Sequence, residues 1–277
     1  MSEVKVERKG AILVISLDRP QSHNSITIES WSNLLLALRE GERDEAIRVM
    51  ILRAEGKSFS VGADTADVSS FGKCTLNELF ANEFAKKSGM HCGPGGPLEH
   101  LGIGRWVLAA TSIEKPWIAS INGVAAGGGM ALALMPHFRI GSTNAKFTTS
   151  FAKLGLGPEM GLSAMLPALV GRQMAMDLLI SARVIEGDEA HQVGLLDRLV
   201  APEDLESETY IYAEQIASMA PLAVRAVLRS SSRQWQDQIR PQIETEWRDQ
   251  GILLTTEDCR EGVAALLERR APVFTGR

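Results

Sequence analysis

The sequence predicts an α/β fold in which parallel strands alternate with helices. Three observations support this. Short apolar runs rich in β-branched residues recur along the first 200 residues, amphipathic helical patterns lie between them, and glycine-rich turns separate strand from helix. Strands that alternate with helices pair in parallel, because each parallel neighbour needs a long crossover connection. From about residue 203 onward the pattern is helical.

The first strand is predicted over residues 10–17, where an apolar run ends at Asp18-Arg19-Pro20. An amphipathic helix follows over 27–42, and a second strand is predicted over 48–53. The residues Phe59-Ser-Val-Gly-Ala-Asp64 then form a turn of small side chains. The apolar face of the helix consists of Ile28, Trp31, Leu34, Leu35 and Leu38.

Residues 68–104 differ from their surroundings. This polar, mixed segment contains Gly93-Pro-Gly-Gly-Pro97 and is predicted to be part helix and part loop. Loops of this length within a compact domain are usually functional or disordered.

The stretch 115–135 is the most informative part of the chain. Residues 116–121 predict a buried strand, Asn122-Gly123 breaks it, and residues 130–135 predict a helix that follows three consecutive glycines, Gly127 to Gly129. The amide groups at a helix start are unpaired and lie at the positive end of the helix dipole, which makes them an anion or oxyanion site. Close packing of helix on strand is the alternative explanation for the glycines.

The remaining elements follow in order. Short strands are predicted over 138–140 and 145–147, a glycine-rich turn over 153–161, and paired helices over 162–170 and 173–181, with Gly171 ending the first. A short helix, a strand and four further helices are predicted over 188–193, 195–200, 206–219, 222–233, 236–254 and 257–269. We therefore expect an α/β body over 1–200 and a helical region over 201–277, packed on the body or on a neighbouring subunit.

Composition limits the function classes. A net charge of −5 does not indicate an extended nucleic-acid surface, and no apolar run is long enough to span a bilayer. Three cysteines without a CxxC pair fit a reducing compartment. The first residues are charged and lack the apolar centre of a signal peptide, so a cytoplasmic location without membrane or nucleic-acid partners is expected.

Several kinds of catalytic and binding site are not supported by the sequence. The five histidines lack metal-binding spacing, and there is no GxSxG nucleophile turn and no phosphate-binding GxxxxGK[ST] motif. No metal and no cofactor are expected. Three features remain: the 59–64 turn, the glycine triplet and Glu159 in a second glycine-rich turn. The first two could direct two backbone N–H groups at one oxygen, the arrangement that stabilises an enolate or tetrahedral oxyanion.

These motifs resemble the signatures of the crotonase (enoyl-CoA hydratase/isomerase) superfamily. Phe59 to Asp64 and Ile118-Ala-Ser-Ile-Asn-Gly-Val-Ala-Ala-Gly-Gly-Gly-Met130 match its two main motifs. Supporting segments occur in the expected order, namely Leu17-Asp-Arg-Pro20 with Asn24, Ala145-Lys-Phe147, Leu154-Gly-Leu-Gly157, Gly187-Asp-Glu-Ala190 with Val193-Gly-Leu195, and the segments from Glu257 to Ala265 and from Arg269 to Phe274.

The resemblance implies a spiral of ββα repeats with a helical C-terminal trimerisation region, assembled as a homotrimer or as a hexamer of two trimers. It implies an acyl-CoA thioester substrate from fatty acid or lipid metabolism, with CoA entering only as part of that substrate. By motif position the thioester oxygen lies between the amides of Ala63 and Gly128, and CoA runs past Ala63, Asp64 and Thr65. For Asp64, a turn residue that caps the next helix is the alternative.

The sequence departs from the hydratases at both catalytic carboxylates. These positions are Ala131 and Phe151, and neither side chain can carry a proton. Glu159 instead matches the catalytic acid of Δ3,Δ2-enoyl-CoA isomerases, which shift a double bond with a single carboxylate. Burial would raise the pKa of Glu159 and a helix N-terminus would lower it. A helix-terminal acid stabilised by the dipole is the alternative role.

The interpretation is therefore an enoyl-CoA isomerase with Glu159 as its catalytic residue. Two alternatives remain open. One is a hydratase or another crotonase-type enzyme, catalysing thioester hydrolysis or C–C cleavage, whose acid comes from Glu78, Glu83, His91 or Glu99. The other is a non-catalytic acyl-CoA-binding protein.

Overall fold

The computed structural model describes residues 3–64 and 103–277. Ten strands are present in this part of the chain: β1 Val4–Lys9, β2 Ile12–Leu17, β3 Val49–Ala54, β4 Ser58–Ser60, β5 Trp117–Ile121, β6 Val124–Ala126, β7 Phe138–Ser142, β8 Lys146–Thr148, β9 Ile185–Glu186 and β10 Arg198–Val200. Its α-helices are α1 Ile28–Arg43, α2 Gly104–Thr111, α3 Gly128–Leu134, α4 Leu162–Ser181, α5 Gly187–Gln192, α6 Leu205–Ala217, α7 Pro221–Leu253 and α8 Glu257–Glu268.

The strands form two sheets. The larger has the order β1-β2-β3-β5-β7-β10, and the smaller has the order β4-β6-β8-β9. Neighbours pair in parallel except β1 with β2 and β8 with β9, which are antiparallel. The α/β class predicted from the alternation of strands and helices is therefore confirmed.

Successive turns of the chain repeat one ββα unit. β5 lies in the large sheet, β6 continues it into the small sheet, and α3 follows; β7, β8 and α4 repeat this order. β3 and β4 begin an earlier unit with the same division between sheets. Each segment that leaves a parallel strand of the small sheet therefore begins at a turn on the same side of the molecule. The candidate site residues lie at these turns.

Both faces of the large sheet are buried. Ile12, Val14 and Ile51 form one cluster with Leu205 and Ala213, so α6 covers that face. Leu13, Ile15 and Leu52 face the main core on the other side. This alternation within one strand follows from the two-residue period of β structure. The division into 1–200 and 201–277 stays a prediction.

The short strands β4, β6 and β9 and the helix α2 were not expected, and β4 includes the first two residues of the predicted 59–64 turn. Three further differences have a direct physical reason. The strand β1 was not predicted because only Val4 of its six residues is buried; it is an edge strand held by its full-length pairing with β2. The helices expected over 222–233 and 236–254 form one helix, α7, with Pro241 inside it. The strand expected over 195–200 begins only at Arg198, because the amides of Leu195 and Leu196 donate to the Ala190 carbonyl.

One further expectation is confirmed, and another lies almost entirely outside the described residues. Gly171 separates two helical segments with φ 77° and ψ 158° inside α4, as predicted. The polar segment 68–104 falls almost entirely within residues 65–102, outside the described part, and α2 begins at its end. In the described residues, no helix has the length and apolar character needed to span a membrane.

Candidate active site

The turn after β4 is fixed by the 17–24 segment. The Asn24 side-chain amide donates to the carbonyl groups of Glu55 and Ser58, each at 2.8 Å. Its carbonyl accepts from the Arg19 amide at 2.8 Å. Asn24 is buried, so these bonds satisfy a side chain that would otherwise be costly to bury. The Asn24 side chain therefore holds the turn that carries Ala63.

Ala63 forms a parallel bridge with Ile26. The Ile26 amide donates to the carbonyl of Gly62, not of Ala63, at 2.7 Å. In a parallel ladder a residue paired in this way directs its own N–H and C=O groups to the opposite side. The Ala63 amide therefore points away from Ile26.

The Asp64 carboxylate is held by side chains of the 19–25 segment. Its carboxylate accepts from the Arg19 guanidinium at 2.9 Å and from the Ser25 hydroxyl at 2.8 Å. Arg19 in turn pairs with Glu3 at 3.2 Å. These contacts anchor the turn beside Ala63. A role for Asp64 in CoA binding stays a prediction, and Thr65 lies outside the described residues.

The three glycines have different structural surroundings. Gly127 has φ 53° and ψ −122°, a conformation that side chains disfavour. A Cβ on Gly129 would lie 2.2 Å from the Ser60 carbonyl oxygen, so this glycine permits close packing of α3 on β4. A Cβ on Gly128 would come closest to the flexible Met160 side chain, with Sδ at 3.3 Å, and its nearest backbone atom would be Gly62 Cα at 3.8 Å. Packing thus explains Gly129 but not Gly128.

The two predicted oxyanion donors belong to backbone segments that touch. Gly62 has φ 85°, and a Cβ there would lie 2.8 Å from the Ala126 oxygen and 3.0 Å from the Gly128 nitrogen. Gly128 is the first residue of α3, so its amide has no partner within the helix. The amides of Ala63 and Gly128 are therefore carried on adjoining segments, beside the same cavity.

Glu159 lies in the turn before α4, and α7 holds that turn. Gln250 accepts from the Gly157 amide at 3.1 Å and donates to the Glu159 carboxylate at 3.4 Å. One helical turn earlier, Glu246 accepts from the amides of Gly161 and Ser163 at 2.7 and 2.8 Å. Glu246 therefore caps the N-terminus of α4. The stabilising role that a helix-terminal acid would have is filled by Glu246 rather than by Glu159.

Ala63, Gly128 and Glu159 line one cavity of about 810 Å³. Its walls are mainly apolar, and Trp31, Phe151 and Met160 face it. Glu159 is the only carboxylate among the described residues that line it. The remaining charged groups on these walls are cationic: Lys153, Arg269 and Arg270.

The environment of Glu159 favours its protonated form. Burial raises the pKa of the Glu159 carboxyl to about 7, the hydrogen bond from Gln250 opposes this shift, and the negative charge of Glu246 adds to it. Burial is the largest of these three influences on the pKa of Glu159. A carboxyl with a pKa near neutrality can both accept and return a proton at physiological pH.

Ala131 and Phe151, which stand at the two positions that carry the acids in hydratases, lie in different surroundings. Ala131 is fully buried in the main core, within α3. Phe151 lines the cavity at the start of a short 3₁₀ segment. Neither contributes a proton donor, and the phenylalanine adds an apolar wall. The other acids considered, Glu78, Glu83, His91 and Glu99, lie outside the described residues.

Sequence reasoning missed Gln250 and Glu246. Both lie on the buried face of α7. This face begins with Ile239 and Ile243, and the four residues follow one another at spacings of four, three and four residues. Polar residues on an otherwise apolar helical face are the signal that could have indicated them.

Among the described residues, no group of three or more His, Cys, Asp or Glu side chains could hold a metal ion.

Comparison with known proteins finds relatives that match nearly the whole chain. The family model for enoyl-CoA hydratase/isomerase matches residues 7–87 and 103–277. The crotonyl-CoA hydratase of Syntrophomonas wolfei is 32% identical, with 98% of this chain and 97% of that protein covered. The 1,2-epoxyphenylacetyl-CoA isomerase of Escherichia coli is 29% identical, with 96% and 95% covered.

A solved structure shows the same fold. The enoyl-CoA hydratase/isomerase of Pseudoalteromonas atlantica T6c superposes with a TM-score of 0.83 at 28% identity, covering 99% of this chain and 100% of that one. The α/β spiral and these matches together define a crotonase-type acyl-CoA enzyme. The chain belongs to the enoyl-CoA hydratase/isomerase family, within the crotonase superfamily.

Proposed function

We propose that this protein is an enoyl-CoA isomerase that moves a double bond by proton transfer through Glu159. The observation that carries the proposal is the position of Glu159: it is the sole carboxylate on the described wall of the cavity that Ala63 and Gly128 also line. Moving a double bond needs one group that takes a proton and returns it elsewhere. Adding water needs a base for the water and an acid for the α-carbon.

The reaction begins with a 3-enoyl-CoA thioester. The ionised Glu159 carboxylate removes a proton from the α-carbon, and the electrons move through the carbonyl to give a dienolate. The amides of Ala63 and Gly128 donate to the developing oxyanion, and the loss of one such donor typically costs about 2.7–4 kcal/mol. Glu159 then returns the proton to the γ-carbon, which gives the 2-enoyl-CoA product.

The apolar walls support this chemistry. Phe151 lines the cavity where a hydratase would present an acid, so no described side chain there activates water. A carboxylate whose pKa is near 7 is a stronger base than an ordinary glutamate with a pKa of 4.5, so it removes the proton from the α-carbon more readily.

The main alternative within the family is hydration. Relatives with this activity in their names include the crotonyl-CoA hydratase of Syntrophomonas wolfei and the short-chain-enoyl-CoA hydratase of Clostridium acetobutylicum. A hydratase here would need an acid from residues 65–102, where Glu78, Glu83, His91 and Glu99 are candidates. Because Ala131 and Phe151 occupy the usual acid positions, we favour isomerisation.

In the test, purified protein is mixed with 3-enoyl-CoA and, separately, with 2-enoyl-CoA. Double-bond migration and hydration are measured in both reactions. We expect migration, and we expect Glu159→Gln to reduce it by at least about 10³-fold, because the amide cannot accept the proton. Glu186→Gln, at an exposed β9 position paired with Lys146, is the matched control and should retain activity. Rapid hydration of 2-enoyl-CoA would contradict the proposal, as would acyl-CoA binding without turnover.

A further inference from the structure

The buried face of α7 carries two polar residues one helical turn apart, and both contact the turn that holds Glu159. Gln250 is 2% exposed and Glu246 is 6% exposed. Polar groups at such depth are costly unless they are fully hydrogen-bonded. Glu246 accepts from the backbone amides of Gly161 and Ser163, whereas Gln250 contacts the carboxylate to which we assign the proton transfer.

The orientation of the Gln250 amide follows from its partner. The Gly157 N–H can only donate, so the atom of Gln250 that faces it at 3.1 Å is the carbonyl oxygen, Oε1. The amide nitrogen, Nε2, is therefore the atom directed at Glu159 Oε2, at 3.4 Å. A backbone group thus fixes which end of the side chain reaches the carboxylate.

An amide NH₂ group donates hydrogen bonds and does not accept them. The carbonyl oxygen of a carboxylic acid accepts such a bond better than its hydroxyl oxygen, so this contact favours Oε2 as the oxygen that stays unprotonated. We propose that Gln250 is the positioning residue of this site: it holds Oε2 as an acceptor, so that Oε1 is the oxygen that takes up and returns the proton. This inference rests on the proposed role of Glu159 as the base.

The charged groups around Glu159 determine how its titration should respond. From α7, Gln250 donates to it and Glu246 presents a negative charge. From the other cavity walls, Lys153, Arg269 and Arg270 are the ionisable side chains among the described residues. The bond from Gln250 lowers the pKa of Glu159, and the charge of Glu246 raises it. Substitutions at these two neighbours on one helix should therefore shift the titration in opposite directions.

The test measures the titration of the Glu159 carboxyl directly, by NMR on protein labelled with ¹³C in the glutamate carboxyl groups, with the signal assigned from Glu159→Gln. Gln250→Met removes the donor at nearly constant volume and should raise the midpoint by about 0.5–1 pH unit. Gln250→Glu keeps an acceptor for Gly157 while replacing the donor with a charge, and should also raise it. Glu246→Gln is the matched control on α7 and should lower it.

Kinetics provide the second readout. With 3-enoyl-CoA we expect Gln250→Met to lower kcat by about tenfold and to change KM by less than about threefold, because a misaligned base slows proton transfer more than it weakens binding. The acidic limb of its kcat/KM profile should move to higher pH with the NMR midpoint. If Gln250→Met does not fold, Gln250→Glu carries the same comparison.

The outcomes separate the two claims. An unchanged Glu159 midpoint in both Gln250 variants overturns the positioning role, as does a shift of Gln250→Met and Glu246→Gln in the same direction, which loosening of the turn alone would give. A wild-type protein that does not isomerise 3-enoyl-CoA, but whose carboxyl titration responds as expected, overturns the proposed function and leaves the Gln250 contact intact.

Discussion

At the scale of single residues, Glu159 is arranged in a way that does not serve stability. Its carboxylate lies in a mainly apolar cavity, and burial holds its pKa near 7 instead of 4.5. The cap of the adjacent helix is Glu246, which accepts from two backbone amides. A buried acid that its surroundings disfavour in the ionised form is typical of a functional group.

This arrangement predicts that Glu159→Gln stabilises the protein at alkaline pH. Because the folded-state pKa is raised, the folded protein retains a proton that the unfolded chain loses between pH 4.5 and about 7. Wild-type stability should therefore fall as pH rises through this interval, and above it the cost of the buried charge is fully present. Glu159→Gln removes that cost and should gain roughly 1–3 kcal/mol in the free energy of unfolding at pH 8.

Urea unfolding of both proteins at pH 8 and at pH 4.5 measures this gain, which should largely disappear at the lower pH. A Glu159→Gln protein that is less stable than wild type at pH 8 would instead identify Glu159 as an acid that stabilises the helix end.

At the scale of elements, the start of α3 places a packing glycine next to the glycine that we propose as an oxyanion donor. Gly129 permits contact with β4, where a Cβ would overlap the Ser60 carbonyl at 2.2 Å. Gly128 has helical conformation and faces the cavity, where a Cβ would approach the flexible Met160 side chain at 3.3 Å. The same substitution should therefore have different effects at neighbouring positions.

We expect Gly128→Ala to fold with nearly unchanged stability but to lose about one to two orders of magnitude in kcat/KM, because the methyl group obstructs access to the amide. Gly129→Ala should lower the free energy of unfolding by about 1–3 kcal/mol or more, since backbone must move. Thermal unfolding and the 3-enoyl-CoA assay on both variants measure these effects. Equal loss of stability in the two would contradict the separate roles of the glycines.

At the scale of the whole molecule, the C-terminal helices complete the site from outside the ββα spiral. α7 supplies Gln250 and Leu254 follows it on the same cavity wall, while Leu266 of α8 continues that wall. Removal of the helical region should therefore abolish activity even if the spiral remained folded. Large apolar side chains of α6 and α7 are exposed in the single chain, among them Ile211, Leu222 and Val227.

The homotrimer or hexamer implied by the family resemblance stays a prediction. With a subunit of 30.1 kDa, light scattering coupled to size-exclusion chromatography should give about 90 kDa for a trimer or about 180 kDa for a hexamer. A mass near that of one subunit across the micromolar range would contradict it, and would mean that the exposed apolar residues of α6 and α7 remain in water.

Much of the fold could be predicted from local pattern. Buried strands such as β5 show as continuous apolar runs, and Gly171 marks the break in α4. β1 could not be predicted in this way, because an exposed, charged edge strand carries no hydrophobic period and is defined by its pairing with β2. The two helices predicted within α7 are one helix, which agrees with the absence of a glycine or proline between the two patterns, and the helix also continues through Pro241.

The residues of the candidate site could also be predicted only in part. Ala63, Gly128 and Glu159 were indicated by motif position, and the structure places them on one cavity; their roles stay predictions. Gln250 was not indicated, because its contact with Glu159 joins residues 91 positions apart and depends on how α7 packs. Local sequence carries turns and helix starts, whereas the partners that tune a buried acid are set by tertiary packing.

The central claim is that one carboxylate moves a proton from the α-carbon to the γ-carbon. The most direct measurement follows 3-enoyl-CoA deuterated at both α positions and locates the label in the 2-enoyl-CoA product. We predict that part of the deuterium appears at the γ-carbon within a single turnover, because Glu159 carries it in a cavity with mainly apolar walls. Formation of 3-hydroxyacyl-CoA as the first product, or label transfer that persists in Glu159→Gln, would contradict the account.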